Sequence, residues 1–394
     1  MIKRERYLEQ IRPFYDSDLI KIISGIKGCG KSIILKQIQE EISKTSSNTI
    51  MLDFEDLSIQ SEITNAKKLV SYIESNRKGS GLCYIFLDEI QKLTGWNIAC
   101  QTLRLRKCSV FISGSNSKLL SKEFTKELSG RYVSFRIRPF VYKELLEYAR
   151  ILNYPIDIND YITWGGFPKR IEYPQLQTQK IYLNDLNNTI VLNDLINRYK
   201  IRKEALFRQL VNYILVSNSR ILSIRSIHRY IKNTGISSSI TTITNYIEYL
   251  KDAYVISSIK KYSPKSKKEL EYYSKIYNED VSFNSIRITD GLYDLTHNFE
   301  NIVYNELLYK GYTLQVYVDN SSEIDFLANK DGKAYLIQVA YSAVDRSTYE
   351  REVKPFYKLD NSKQKILITN DDIDFASSSF RHIKFKDFLM LEDL

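Results

Sequence analysis

Residues Gly25-Ile26-Lys27-Gly28-Cys29-Gly30-Lys31-Ser32 have the spacing of a phosphate-binding loop, two framing glycines closed by a lysine and a hydroxyl residue. The chemistry this predicts is binding of a nucleoside triphosphate, ATP, with Mg²⁺. Glycines let backbone N–H groups crowd the phosphates, Lys31 reaches the β/γ oxygens, and the Ser32 hydroxyl ligates Mg²⁺. A helix starting at Lys31 aims the positive end of its dipole at the same anion. A second constellation closes an apolar run, Gly81-Leu82-Cys83-Tyr84-Ile85-Phe86-Leu87-Asp88-Glu89. Asp88 fits the acid that supports Mg²⁺ beside Ser32, and Glu89 the base that orients and polarises an attacking water. The plainer alternative is a solvated strand end, with Asp53 and Glu55 as the next acids for the role.

These residues require strands that end together. Short apolar segments at 19–23, 49–54, 82–87, 110–113 and 133–137 alternate with helical stretches, the pattern of an α/β fold with a doubly wound parallel sheet. The segment Phe111-Ile112-Ser113-Gly114-Ser115-Asn116 ends in small polar residues. Asn116 at its tip is placed to meet the γ-phosphate or the attacking water, or else Ser115 or Asn116 caps a helix. Arg131, just past Gly130, is a candidate charge-stabilising finger or a surface ion-pair partner.

Composition sets outer bounds. A chain of 394 residues with 43% hydrophobic content is long enough for two or three domains of about 150 residues each. No apolar stretch approaches the roughly 20 residues that cross a bilayer, and the charged start Met1-Ile2-Lys3-Arg4-Glu5-Arg6 lacks the apolar region of a secretory signal, so no membrane association and a cytoplasmic location are expected. Cys29, Cys83, Cys100 and Cys108 lack the spacing of a zinc site or disulfide framework. The three histidines, His228, His297 and His382, stand far apart. A net charge of +10 favours anionic partners without specifying them.

Taken together, the loop, Phe86-Leu87-Asp88-Glu89-Ile90-Gln91 with Trp96, Ile112 to Asn116, Gly130-Arg131 before Arg138-Pro139-Phe140, Gly165-Gly166-Phe167-Pro168, Ile324-Asp325-Phe326 and Ile337-Gln338-Val339 resemble the AAA-type ATPases of archaea and bacteria whose C-terminal half is of unknown function. The resemblance covers nearly the whole chain. It implies ATP hydrolysis coupled to a winged-helix module and a nuclease-like module, hence the division 1–150, 151–285 and 286–394. Relatives that form rings would place Arg131 at a neighbour's ATP, so a homo-oligomer is among the expectations. The middle residues agree. Apolar spacing predicts helices at 206–216, 223–231 and 239–253, and Ile259 to Lys268 forms a basic wing. Residues 220–268 are therefore a candidate DNA contact, although winged helices also join proteins or domains.

From Asn298 onward, a helix, three strands, a helix and a strand resemble the restriction-endonuclease-like fold of Holliday-junction resolvases. In that resemblance Glu300 is the helix acid, Asp325 the Mg²⁺-binding strand acid and Gln338 the third ligand position. Where such nucleases carry a lysine two residues later, this chain has Ala340, and Gln338 is neutral. A degenerate, binding-only site is expected; ordinary strand-end acids at Glu323 and Asp325 are the alternative. Two functions stay open: an ATPase acting on DNA, and a nucleotide-dependent switch for a protein partner in a defence or toxin-type system.

Overall fold

The computed structural model describes residues 1–115, 130–263, 268–319, 322–359 and 362–394. The chain falls into two compact units, Met1–Pro139 with Asp252–Tyr254, and Phe140–Lys251 with Val255–Leu394.

The first unit is built on five strands, β1 (Ile20–Ser24), β2 (Thr49–Asp53), β3 (Cys83–Asp88), β4 (Cys108–Gly114) and β5 (Tyr132–Arg136), in the order β2-β3-β4-β1-β5. All pairs are parallel. Continuous apolar runs suit strands covered on both faces, and every residue of β1 and β4 is buried. The helices Ala66–Asn76 and Trp96–Leu105 bring Leu69, Ile73, Trp96 and Leu103 against Ile85, Leu87, Val110 and Ile112. The Asn65 side chain caps the first of these by accepting from Lys68 N. The strand order matters for chemistry, because β4 lies between the strand before the glycine loop and the strand that ends in the acids.

The second unit opens with helices that include Tyr142–Ile151, Ile158–Trp164 and Leu176–Asn187, followed by Glu204–Val216, Ile224–Asn233 and Ile240–Asp252. Its sheet has seven strands, β6 (Ile256–Ser263), β7 (Lys268–Asn278), β8 (Thr313–Asp319), β9 (Ser322–Lys330), β10 (Lys333–Ala340), β11 (Gln364–Thr369) and β12 (Arg381–Lys384), ordered β12-β11-β10-β9-β8-β6-β7. The hairpin β6/β7 is antiparallel, and β6 joins β8 in parallel through Lys261 opposite Val316 and Tyr262 opposite Tyr317. That junction makes one sheet out of segments on either side of residue 285. On its other side β7 meets Ile221, which bridges to Lys275.

The Gly165-Gly166 pair is structural. A Cβ on Gly166 would lie 1.9 Å from the Phe140 carbonyl oxygen, and Gly165, at φ +68°, would place one 2.0 Å from Asp280 Oδ1. Asp280 is buried and accepts from Gly166 N at 2.7 Å and Ser282 N at 2.9 Å. Buried Arg170 donates to Gln179 Oε1 and to Asp160 Oδ2, each at 2.8 Å.

Candidate functional site

The glycine loop leaves β1 where the chain passes closest to another backbone. A Cβ on Gly25, at φ +150°, would sit 2.1 Å from the Ile137 carbonyl oxygen, so only glycine fits. Ile26 and Cys29 turn inward and are fully buried, the Cys29 thiol donating to Ile137 O at 3.4 Å, while Lys27 is half-buried and Gly28 exposed. Gly30, left-handed at φ +98°, precedes the Lys31–Ser43 helix. The Lys31 ammonium folds back over the loop, donating to Ile26 O at 3.2 Å and standing 3.8 Å from Glu89 Oε1.

Both acids meet that loop through β4. Register pairs Leu87 with Ile112, so Ser113 comes beside Asp88. The Ser113 hydroxyl donates to Asp88 Oδ1 and accepts from Glu89 N at 3.1 Å. Burial pushes the Asp88 carboxyl above the usual carboxylate range; hydrogen bonds from Ser113 and Ser32 oppose it, and the Glu89 and Asp53 charges add to it. A carboxylate desolvated beside a serine hydroxyl is a hard oxygen pair that fits Mg²⁺, whose charge would stabilise the ionised form. Glu89 takes a left-handed backbone, φ 49°, that turns its side chain toward the loop. Its carboxylate accepts from Gln91 Nε2 and from Ser115 Oγ at 3.3 Å.

Two contributors had no role read from the sequence. Ser113 is legible only once β4 is known to separate β1 from β3. Arg4, 2% exposed, donates from Nη1 to the Cys29 carbonyl at 3.0 Å and stacks on Tyr7 at 4.6 Å. Nothing in its sequence neighbourhood announces a role at the loop.

Asp53 is exposed at the tip of β2 and accepts from Glu55 N at 2.8 Å, and Glu55 pairs with Lys92 at 3.2 Å; neither approaches the loop lysine as Glu89 does. Asn116 lies outside the described residues. Arg131 is exposed at the start of β5, its carbonyl accepting from Ile20 N at 3.0 Å. Ile20 pairs with Tyr132 and Ser24 with Arg136, so the Arg131 backbone stands at the far end of β1 from the loop. At about 3.3 Å per residue that is about 16 Å away, too far for a finger on the chain's own phosphates.

In the second unit Glu300, Asp325 and Gln338 do come together, on the Leu295–Tyr309 helix, β9 and β10, at the floor of a cleft of about 850 Å³. Ala340 is 5% exposed and brings no cation. The expectation of a site without a lysine is nevertheless corrected: β7 supplies Lys275, whose ammonium is 2.7 Å from Glu300 Oε1 and 3.0 Å from Asp325 Oδ1. No periodic signal links residue 275 to 300 and 325; the β6/β8 junction does. Burial pulls the Lys275 ammonium down, but the Asp325 and Glu300 charges outweigh it and hold the group above its ordinary range. Gln338 accepts from Asp325 N at 3.3 Å and donates to Glu352 Oε2 at 2.6 Å.

Comparison with known proteins matches this architecture. Residues 17–146 match the AAA domain family, 156–287 a domain of unknown function (DUF8612) and 295–387 another (DUF4143). The Walker-type ATPase of Pyrococcus abyssi superposes with a TM-score of 0.53 over 73% of this chain and 96% of that one, at 15% identity, a likeness of fold. An uncharacterized protein of Methanocaldococcus jannaschii is 29% identical over 388 residues, 90% of this chain and 82% of its own. An uncharacterized protein of Haemophilus influenzae is 31% identical over 378 residues, 94% of this chain and 93% of its own. The chain belongs to the same family as that protein, with a P-loop AAA domain followed by two domains of unknown function.

Proposed function

We propose that the first unit binds and hydrolyses ATP. The observation that carries this reading is the convergence of Lys31, Ser32, Asp88 and Glu89 at the ends of β1 and β3, tied by Ser113. Gly25 to Ser32 cradle the phosphates, and Lys31 leaves Ile26 O and Glu89 to neutralise the β/γ oxygens. Ser32 and Asp88 would hold Mg²⁺, which would supply positive charge to offset that of the phosphates. Glu89, released from Lys31, orients water and takes its proton, with Asn116 proposed at the γ-phosphate. Arg131 serves this chemistry only in a homo-oligomer, at a neighbouring copy's nucleotide. The test is calorimetric ATP binding beside steady-state phosphate release. Lys31→Ala should weaken binding, whereas Glu89→Gln should bind ATP and lose roughly 10²-fold in turnover. Unchanged behaviour in both variants would overturn the assignment.

We further propose that nucleotide state is coupled, in the cytoplasm, to modules at 151–285 and 286–394. Three helices, the short pairing at Ile221 and the hairpin β6/β7 support a winged-helix reading of the first, with DNA contacted through 220–268. Exposed Arg225, Arg229 and Lys232 on the Ile224–Asn233 helix suit phosphates. Lys265 and Lys267 of the wing lie outside the described residues. A second reading, a nucleotide-dependent protein-interaction switch, is favoured by exposed Ile221, Tyr230 and Ile240 on the same module. Gel shifts with single-stranded, duplex and branched DNA, with and without ATP at two salt concentrations, separate them: phosphate contacts must weaken as salt rises.

A further inference from the structure

Glu300 and Asp325 share one ammonium, and little else reaches it. The side chain of Lys275 is 8% exposed, that of Glu300 13% and that of Asp325 12%. Asp325 Oδ2 accepts from Val339 N at 3.0 Å, and the Tyr277 hydroxyl donates at 2.8 Å to Glu300 Oε1, the same oxygen that faces the ammonium. Two desolvated carboxylates facing one point raise each other's proton affinity; burial and the Asp325 charge push the Glu300 carboxyl up to about 8, and the ammonium between the two opposes that rise. Lys275 is well built to be that cation. Its strand is paired on both sides at this residue, with Ile259 of β6 and with Ile221, so the nitrogen hangs from a fixed backbone. A hard divalent ion bound to the same two oxygens, at about 2.1 Å from each, would collide with the ammonium and be repelled by it. Among the described residues no group of three or more His, Cys, Asp or Glu is placed to hold a metal.

We propose that the Lys275 ammonium is the resident cation of this carboxylate pair. It holds the place of a divalent metal, so the wild-type cleft takes up no divalent ion there. A variant lacking the ammonium acquires a Mn²⁺ site on Glu300 and Asp325. The inference concerns the second unit and does not depend on the ATPase reading.

The test titrates the full-length, nucleotide-free protein with MnCl2, following free Mn²⁺ by electron paramagnetic resonance and unfolding by calorimetry. Wild type and Asp325→Asn should titrate alike, since nothing binds at this pair. Lys275→Ala should take up Mn²⁺ and melt higher in its presence, and adding Asp325→Asn should abolish both effects. Lys275→Gln, which keeps a donor, replaces Lys275→Ala if the latter does not fold. Mn²⁺ uptake by the wild type that Asp325→Asn removes would overturn the proposal, as would a folded Lys275 variant with no Asp325-dependent uptake. If neither Lys275 variant folds, Asp325-dependent Mn²⁺ uptake by the wild type still overturns the proposal.

Discussion

The guanidinium of Arg4 donates to the carbonyl oxygen of Cys29 at 3.0 Å, from a segment 25 residues upstream of the loop it touches. If the loop cradles phosphates as proposed, the contact would hold one loop carbonyl away from the N–H groups that meet them. The Arg4 backbone N–H donates to Gln37 Oε1 at 3.2 Å, and Gln37 returns a bond to Ile2 O, so the segment is anchored to the helix after the loop. Arg4→Met, which keeps the apolar stem, should raise the ATP dissociation constant by about 10-fold, equivalent to about 1.4 kcal/mol. Calorimetric titration with ATP checks this, and unchanged affinity would reduce Arg4 to a packing residue.

Ser113→Ala removes the hydroxyl that serves both acids and strands the Glu89 N–H. A lost bond at a buried donor costs about 1–3 kcal/mol. The cost should fall on the positioning of Glu89, lowering turnover by about 10-fold while ATP affinity stays near wild type. A variant that hydrolyses at the wild-type rate would show that Glu89 holds its left-handed turn without help.

Lys21 lies inside β1, its ammonium donating to Ser109 Oγ at 2.8 Å and to Ser17 O at 3.0 Å. Burial pulls its pKa from 10.5 down to about 7. Between those two values the unfolded chain binds a proton that the folded chain has released, so stability rises with pH across that window. Below about 7 both states are protonated and the cost of burying the charge is constant. Urea unfolding at neutral pH and about two pH units higher should show this rise in the wild type and its absence in Lys21→Met. Equal slopes would place the Lys21 pKa near its ordinary value.

Gly166→Ala forces a methyl group against the Phe140 carbonyl oxygen, a backbone atom that cannot step aside. Denaturant unfolding should show a loss of about 3 kcal/mol or more. A loss under about 1 kcal/mol would mean that the 140 and 166 segments separate cheaply.

The cleft at Glu300 and Asp325 should not cut DNA efficiently. Lys275 occupies the space between the acids that a metal would need, and Gln338 adds no charge. Supercoiled, linear and four-way-junction DNA incubated in Mg²⁺ or Mn²⁺ should stay intact. Robust cleavage abolished by Asp325→Ala would instead make the chain a nuclease.

By itself the sequence determined the glycine loop and the five strands of the first sheet to within one or two residues, and it singled out Asp88 and Glu89 as candidate acids. Their signals are local: a glycine pattern, apolar runs, and an acid at the end of one of them. The helices at 206–216, 223–231 and 239–253 were legible for the same reason, since apolar spacing survives within a single element, whereas Tyr142–Ile151, Ile158–Trp164 and Leu176–Asn187 were not read from the sequence. Tertiary structure decided what depends on strand order and register. Only the insertion of β4 between β1 and β3 brings Ser113 to both acids, and the parallel register of β1 with β5 carries Arg131 to the end away from the loop. Only the pairing of β6 with β8 brings a lysine at 275 to carboxylates at 300 and 325, where a reading along the chain expected no cation.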